Sequence, residues 1–231
     1  MRPPIPRRTI RARIGGVSAP ERPAPRLVLA SASPARLATL RAAGLDPAVT
    51  ASGVDEDAVT ATVPEPSPAA LSQALAVAKC RAVAAELRPA GPTLVVGCDS
   101  LLELDGGVHG KPAHASEAVA RWRRMRGRTG VLHTGHCVRL LVGGADAEEL
   151  QAVASTRVHF AELSDAEIDA YVATGEPLDV AGAFTLDRLG GAYVRGIEGD
   201  PHSVVGISLP LLRELVGELG FGWHTLWART P

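Results

Sequence analysis

Between residues 27 and 104 short apolar runs, too brief to be helices, alternate with segments of helical periodicity, and this alternation restricts the chain to an α/β fold. Residues 27–30 read as a strand, 34–43 as a helix closed by Gly44, 69–87 as a long alanine-rich helix stopped by Pro89, and 94–97 as the next strand. Residues 101–104 and 107–109 flank Asp105-Gly106, a dipeptide suited to a two-residue hairpin turn. Beyond it the pattern predicts a helix over 116–125, strands around 131–141 and 153–162, and a helix that reaches Thr174 from a Ser164/Glu167 capping box. A strand over 191–197 and a closing helix over 209–219 complete the series. Long late strands joined by short turns require antiparallel neighbours, so the sheet is expected to be mixed.

Charge divides the chain. Residues 1–26 hold seven arginines against the single acid Glu21, so the formal net charge of −1 is the sum of a basic leader and an acidic body. Residues 1–25, rich in Pro and Arg and without an apolar run, are expected to be disordered, and 26–231 to form the folded domain. No run of about 18 apolar residues exists, which argues against a membrane span. Three cysteines (Cys80, Cys98 and Cys137), odd in number and without a C-x-x-C spacing, point to a reducing compartment, hence the cytoplasm. The arginine-rich run 121–128 could touch nucleic acid, but an acidic body with 3% aromatic residues offers no wider footprint. That run is expected to be a solvated helix face with Trp122 and Met125 turned inward.

Several short segments could carry chemistry. In Ser31-Ala32-Ser33-Pro34-Ala35-Arg36, Ser33 suits an N-cap and Pro34 the first helical position. The free N–H groups of such a helix start, with the hydroxyls of Ser31 and Ser33 and the guanidinium of Arg36, would bind phosphate. The same pattern also fits a capped helix without a ligand, as at Ser67-Pro68. Asp55-Glu56-Asp57 reads either as a solvated turn or as oxygen ligands for a hard divalent cation. Asp99 ends an apolar strand, where an unpaired acid would be costly. Lys79 and Lys111 are the only lysines among 24 basic residues, which suggests sites where a guanidinium would not fit. Gly110-Lys111-Pro112 is not a P-loop, because Asp105 and Pro112 occupy positions that motif reserves for Gly and for Ser or Thr. His133 and His136, three apart on a strand, would face opposite ways and make a poor metal pair. Cys98 fits a small buried hydrophobe.

These segments fall in an order that resembles the Maf family of nucleoside triphosphate pyrophosphatases, from about residue 26 to residue 227. The motifs are LASASPAR (29–36), VDED (54–57), the mid-helix Lys79, GCDS (97–100), GKP (110–112), RGRTGVLHTG (126–135), EPLDVAGAFTLDRLGG (176–191) and GDPHSVVGISLPLL (199–212). The resemblance implies an elongated, two-lobed α/β fold with a bent mixed sheet and a central cleft, often as a homodimer. It also implies hydrolysis of a nucleoside triphosphate to the monophosphate and pyrophosphate with a divalent metal, Mg²⁺ or Mn²⁺. Asp99 matches the family's proton acceptor, Glu56, Lys79 and Lys111 match other active-site positions, and Ser31 and Arg36 match its phosphate-binding loop. Glu56 and Asp99 are the expected metal ligands. Ala35 stands where the family usually has a further arginine, and Asp187 where many members have a glutamine, making it the expected base-selecting residue. The alternative expectation is a nucleotide-binding regulator of cell division with little or no turnover.

Overall fold

The computed structural model describes residues 23–228 apart from 65 and 144, so most of the expected leader lies outside the described residues. Seven strands among them form one mixed sheet: β1 (Arg26–Leu29), β2 (Ala48–Val49), β3 (Thr93–Leu104), β4 (Gly107–His109), β5 (Thr129–Val142), β6 (Ala145–Phe160) and β7 (Val194–Glu198). Their order is β2-β1-β3-β5-β6-β7, with β4 paired to β3. β1 runs parallel to β2 and β3, and every other pairing is antiparallel. The helices are α1 (Pro34–Ala42), α2 (Glu56–Ala61), α3 (Pro68–Glu86), α4 (Ala115–Met125), α5 (Asp165–Ala173), α6 (Pro201–Val205) and α7 (Leu209–Glu218).

β3 organises the molecule because its two faces do different work. On one face Leu94, Val96 and Cys98 join a core with Leu29, Val138 and Leu212, whereas Leu102 and Leu104 join a second core with Trp122, Leu132 and Phe160. Ser100 lies between these two sets at the strand period of two. It pairs in register with Thr134 of β5, and their hydroxyls are 2.9 Å apart. A polar seam thus separates two apolar cores along one continuous strand. Thr134 carries the seam onward by donating to the Ser203 carbonyl of α6 at 2.8 Å.

The opposite face is covered by α3, which lies against the backbone. A Cβ at Gly97 would overlap the Ala76 carbonyl, and one at Gly135 would overlap the Ser72 carbonyl. Glycine is required at both positions for the helix to sit this close. Asp99 is the register partner of Gly135, so this acid lies directly beneath α3.

Several expected boundaries move. β3 is one strand rather than two pieces, because Asp99 and Ser100 find partners inside the sheet. β6 starts at Ala145 instead of 153; its early half is polar, with Glu149 held by Arg81 and Arg139. Residues 189–193 form a 3₁₀ turn before β7. α2 and α6 have no counterpart in the sequence pattern, being too short to show periodicity. The Asp105-Gly106 turn and the Ser164/Glu167 capping box form as expected, with both turn residues at positive φ. Cys98, like Cys80 and Cys137, is buried and free.

His133 and His136 do face opposite ways. His133 bonds Ser155 and Glu103 at 2.9 Å each. His136 is buried, with its Nδ1 3.0 Å from the Thr134 carbonyl and its Nε2 accepting the Ser208 N–H at 2.8 Å, which seats the start of α7. Burial pushes its pKa down to about 4 from the ordinary 6.5. The unfolded chain therefore takes up this proton first as pH falls, and the folded state loses stability between about pH 6.5 and pH 4. Urea unfolding should show wild type losing about 3 kcal/mol more over that window than His136→Gln, at about 1.4 kcal/mol per pH unit. Equal losses in the two proteins would contradict this role.

Candidate active site

Lys79 occupies the apolar stripe of α3, with Leu75, Ala76 and Cys80 as buried neighbours. An ammonium there is costly unless paired. Its Nζ lies 2.5 Å from Asp99 Oδ1 and 2.6 Å from Glu56 Oε1. The Lys79 and Asp99 side chains are each 11% exposed, whereas Glu56 is 57% exposed at the open end of the trio. Glu56 comes from α2, whose start is fixed by Asp55 accepting the Ala58 N–H at 3.0 Å. The acidic turn is thus neither a free loop nor a three-carboxylate cluster: Asp55 is a cap, and only Glu56 reaches Lys79. Among the described residues no group of three or more His, Cys, Asp or Glu side chains gathers into a metal-type cluster.

Asp99 sits where opposing influences are large. Burial pushes its carboxyl above the usual range, and the Lys79 and Arg36 cations pull it part of the way back. The result is a carboxylate more basic than a surface aspartate, hydrogen-bonded by Lys79.

Arg36 is fixed from several directions. Its Nε donates to the Gly206 carbonyl at 2.8 Å, its Nη1 to Ser31 Oγ at 3.1 Å, and its Nη2 to Ser100 Oγ at 3.4 Å. Ser31 Oγ also accepts the Ser33 N–H at 3.2 Å, while Ser33 Oγ caps α1 by accepting the Arg36 N–H at 3.4 Å. The expected phosphate loop is therefore a capped helix start whose arginine is aimed at the polar seam beside Asp99. The seam residues Ser100, Thr134, Ser203 and Gly206 lie within the quoted motifs but were given no role there, since isolated hydroxyls on a strand or short helix and a helix-end glycine carry no pattern of their own.

Lys111 and Asp187 do not touch this cluster. Both are exposed, and neither has an ion-pair partner among the described residues. Each rides on a loop whose backbone is pinned. The Asp187 loop hangs on Glu176, which accepts from Thr185 Oγ1 at 2.6 Å, Tyr171 Oη at 3.0 Å, Gly190 N at 3.0 Å and Leu189 N at 3.3 Å. Partial burial pushes the Glu176 carboxyl up, but these donors outweigh it and hold it below the usual range. Arg121 corrects the reading of 121–128 as a solvated face: Trp122 and Met125 are buried as expected, but Arg121 is also only 5% exposed.

Residues 26–219 match the family of Maf-like proteins. The chain belongs to the Maf family. It is 58% identical over 206 residues to a nucleoside triphosphate pyrophosphatase of Salinispora tropica, with 88% of each chain covered. It is 57% identical over 203 residues to one of Nocardia farcinica, covering 87% of this chain and 96% of the relative, and 57% over 206 residues to one of Streptomyces coelicolor, covering 89% and 96%. In this Maf protein the ammonium of Lys79 is the nearest charge opposing the burial of Asp99. Lys79→Met should raise the Asp99 pKa further, because the nearest cation is lost while the burial remains, followed by carboxyl-carbon NMR titration; an unchanged value would show that Lys79 does not govern it.

Proposed function

We propose that this protein hydrolyses nucleoside triphosphates to the monophosphate and pyrophosphate, with Asp99 as proton acceptor. The carrying observation is the Glu56–Lys79–Asp99 trio beside Arg36: a buried carboxylate of raised basicity next to fixed cations suited to a polyphosphate. The pyrophosphatase names of the relatives support the same activity.

Arg36, Ser31 and Ser33 bind and orient phosphate oxygens at the start of α1, where the backbone N–H groups add positive potential. Lys111, exposed and unpaired, closes on the β- and γ-phosphates and stabilises the charge that moves to pyrophosphate. Lys79 holds Asp99 in place, and Asp99 takes the proton of the water that attacks the α-phosphorus. The donor set fits a divalent ion: two carboxylates from separate elements already converge on one cation, and Glu56 is exposed enough to turn. Glu56 and Asp99, with phosphate oxygens, would hold Mg²⁺ or Mn²⁺, which would supply charge neutralisation and acidify water.

Asp187 selects the base. An ionised carboxylate only accepts hydrogen bonds, so it favours the donor-bearing edges of guanine and cytosine over those of thymine and uracil. The protein acts on free nucleotides as a cytoplasmic homodimer and binds neither nucleic acid nor membrane. No helix among the described residues is long and apolar enough to cross a bilayer, and the folded body is acidic.

Asp99→Asn should lower pyrophosphate release at least about 100-fold, measured below the variant's unfolding midpoint, which should fall because Lys79 loses its buried partner. Turnover within a few-fold of wild type would remove Asp99 from the reaction, and no turnover in wild type with metal across a nucleotide panel would favour a nucleotide-binding regulator. In the same panel kcat/KM should be higher for guanine and cytosine triphosphates, and a strong dTTP or UTP preference would contradict the role of Asp187.

A further inference from the structure

The loop that carries Lys111 joins β4 to α4 and is gripped at both ends by one helix-borne ion pair. Arg121 Nη1 donates to the Gly110 carbonyl at 2.5 Å, and Arg121 Nη2 pairs with Glu117 Oε1 at 2.6 Å. Glu117 Oε2 accepts the Ala113 N–H at 2.8 Å. The bonded groups are the carbonyl just before Lys111 and the N–H two residues after it, so the pair fixes the backbone on either side of the lysine. The Gly110 carbonyl also accepts the Gly182 N–H at 3.0 Å. Gly182 and Ala183 both have positive φ, and the Ala183 carbonyl is held by Trp122 Nε1 at 2.7 Å. α4 therefore anchors, through Arg121 and Trp122, the loop of Lys111 and the start of the segment leading to Asp187.

A guanidinium buried at a position where an apolar side chain would pack is expensive. One of its two hydrogen bonds goes to the loop's Gly110 carbonyl and the other to Glu117, which in turn accepts the loop's Ala113 N–H. We propose that Arg121, seconded by Glu117, is a positioning residue that sets Lys111 against the substrate's phosphates. The proposal rests on the role given to Lys111 above. Among the described residues no ion pair restrains the exposed Lys111 side chain, so the placement of its charge depends on the backbone that Arg121 holds together with Glu117 and Gly182.

The test is a double-mutant cycle on the full chain, read as pyrophosphate release from triphosphate with metal, over Arg121→Met, Lys111→Met and the double variant, with unfolding midpoints recorded for each. Arg121→Met should lower kcat/KM about ten-fold when Lys111 is present and less than about two-fold when Lys111 is already methionine. A purely structural role would give the same factor in both backgrounds, and that result overturns the proposal. Lys111→Met within about two-fold of wild type is a different failure: it removes Lys111 from the reaction and the proposal with it, whatever the cycle gives. Should Arg121→Met fail to fold, Glu117→Gln loosens the same bracket from its half-exposed end, and its loss must likewise vanish in the Lys111→Met background.

Discussion

An ammonium buried between two carboxylates is the interaction on which the site depends. Without Lys79, Asp99 would be an isolated acid under a helix, and the cost of burying it would be met by protonation or by unfolding. Without Asp99 and Glu56, α3 could not carry a lysine on its apolar stripe. The trio is thus self-consistent only when complete, and it fixes the position and the basicity of a carboxylate under the influence of Arg36 at the start of α1.

Sheet geometry makes this trio possible. Gly97 and Gly135, on neighbouring strands, let α3 approach the sheet until Lys79 reaches Asp99. On the other face Ser100 and Thr134 divide two apolar cores, and the opening between them admits Arg36 from α1 and the end of α6. The same short stretch, Gly97 to Ser100, therefore supplies the helix contact, the carboxylate and the hydroxyl. Its four residues are polar or small for distinct reasons, none of them a turn.

That stretch also explains what the sequence made legible. Alternation along the chain was enough for the class of fold, because periodicity of two and of 3.6 survives in apolar side chains. Capping and turn signals such as Ser33-Pro34, Asp105-Gly106 and Ser164/Glu167 act through local backbone groups, so they were readable too. Strand interruption at Asp99-Ser100 was misread, since the partners that satisfy those residues, Lys79 and Thr134, lie 20 and 34 positions away. Arg121 was misread for the same reason: a buried arginine on a basic helix looks solvated until the carbonyl that accepts its hydrogen bond is located. Asp99, Glu56, Lys79 and Arg36 were picked out from their own segments, took their roles from the resemblance and are brought together in space, whereas Lys111 and Asp187 stand apart from that cluster on pinned loops.

The most direct measurement is a crystal structure of this protein with Mg²⁺ and a triphosphate whose α–β bridge resists hydrolysis. The account predicts the β- and γ-phosphates between Arg36 and Lys111, the α-phosphorus facing Asp99, and the base against the Asp187 loop. A nucleotide bound away from the polar seam, or one whose α-phosphorus is remote from Asp99, would contradict it.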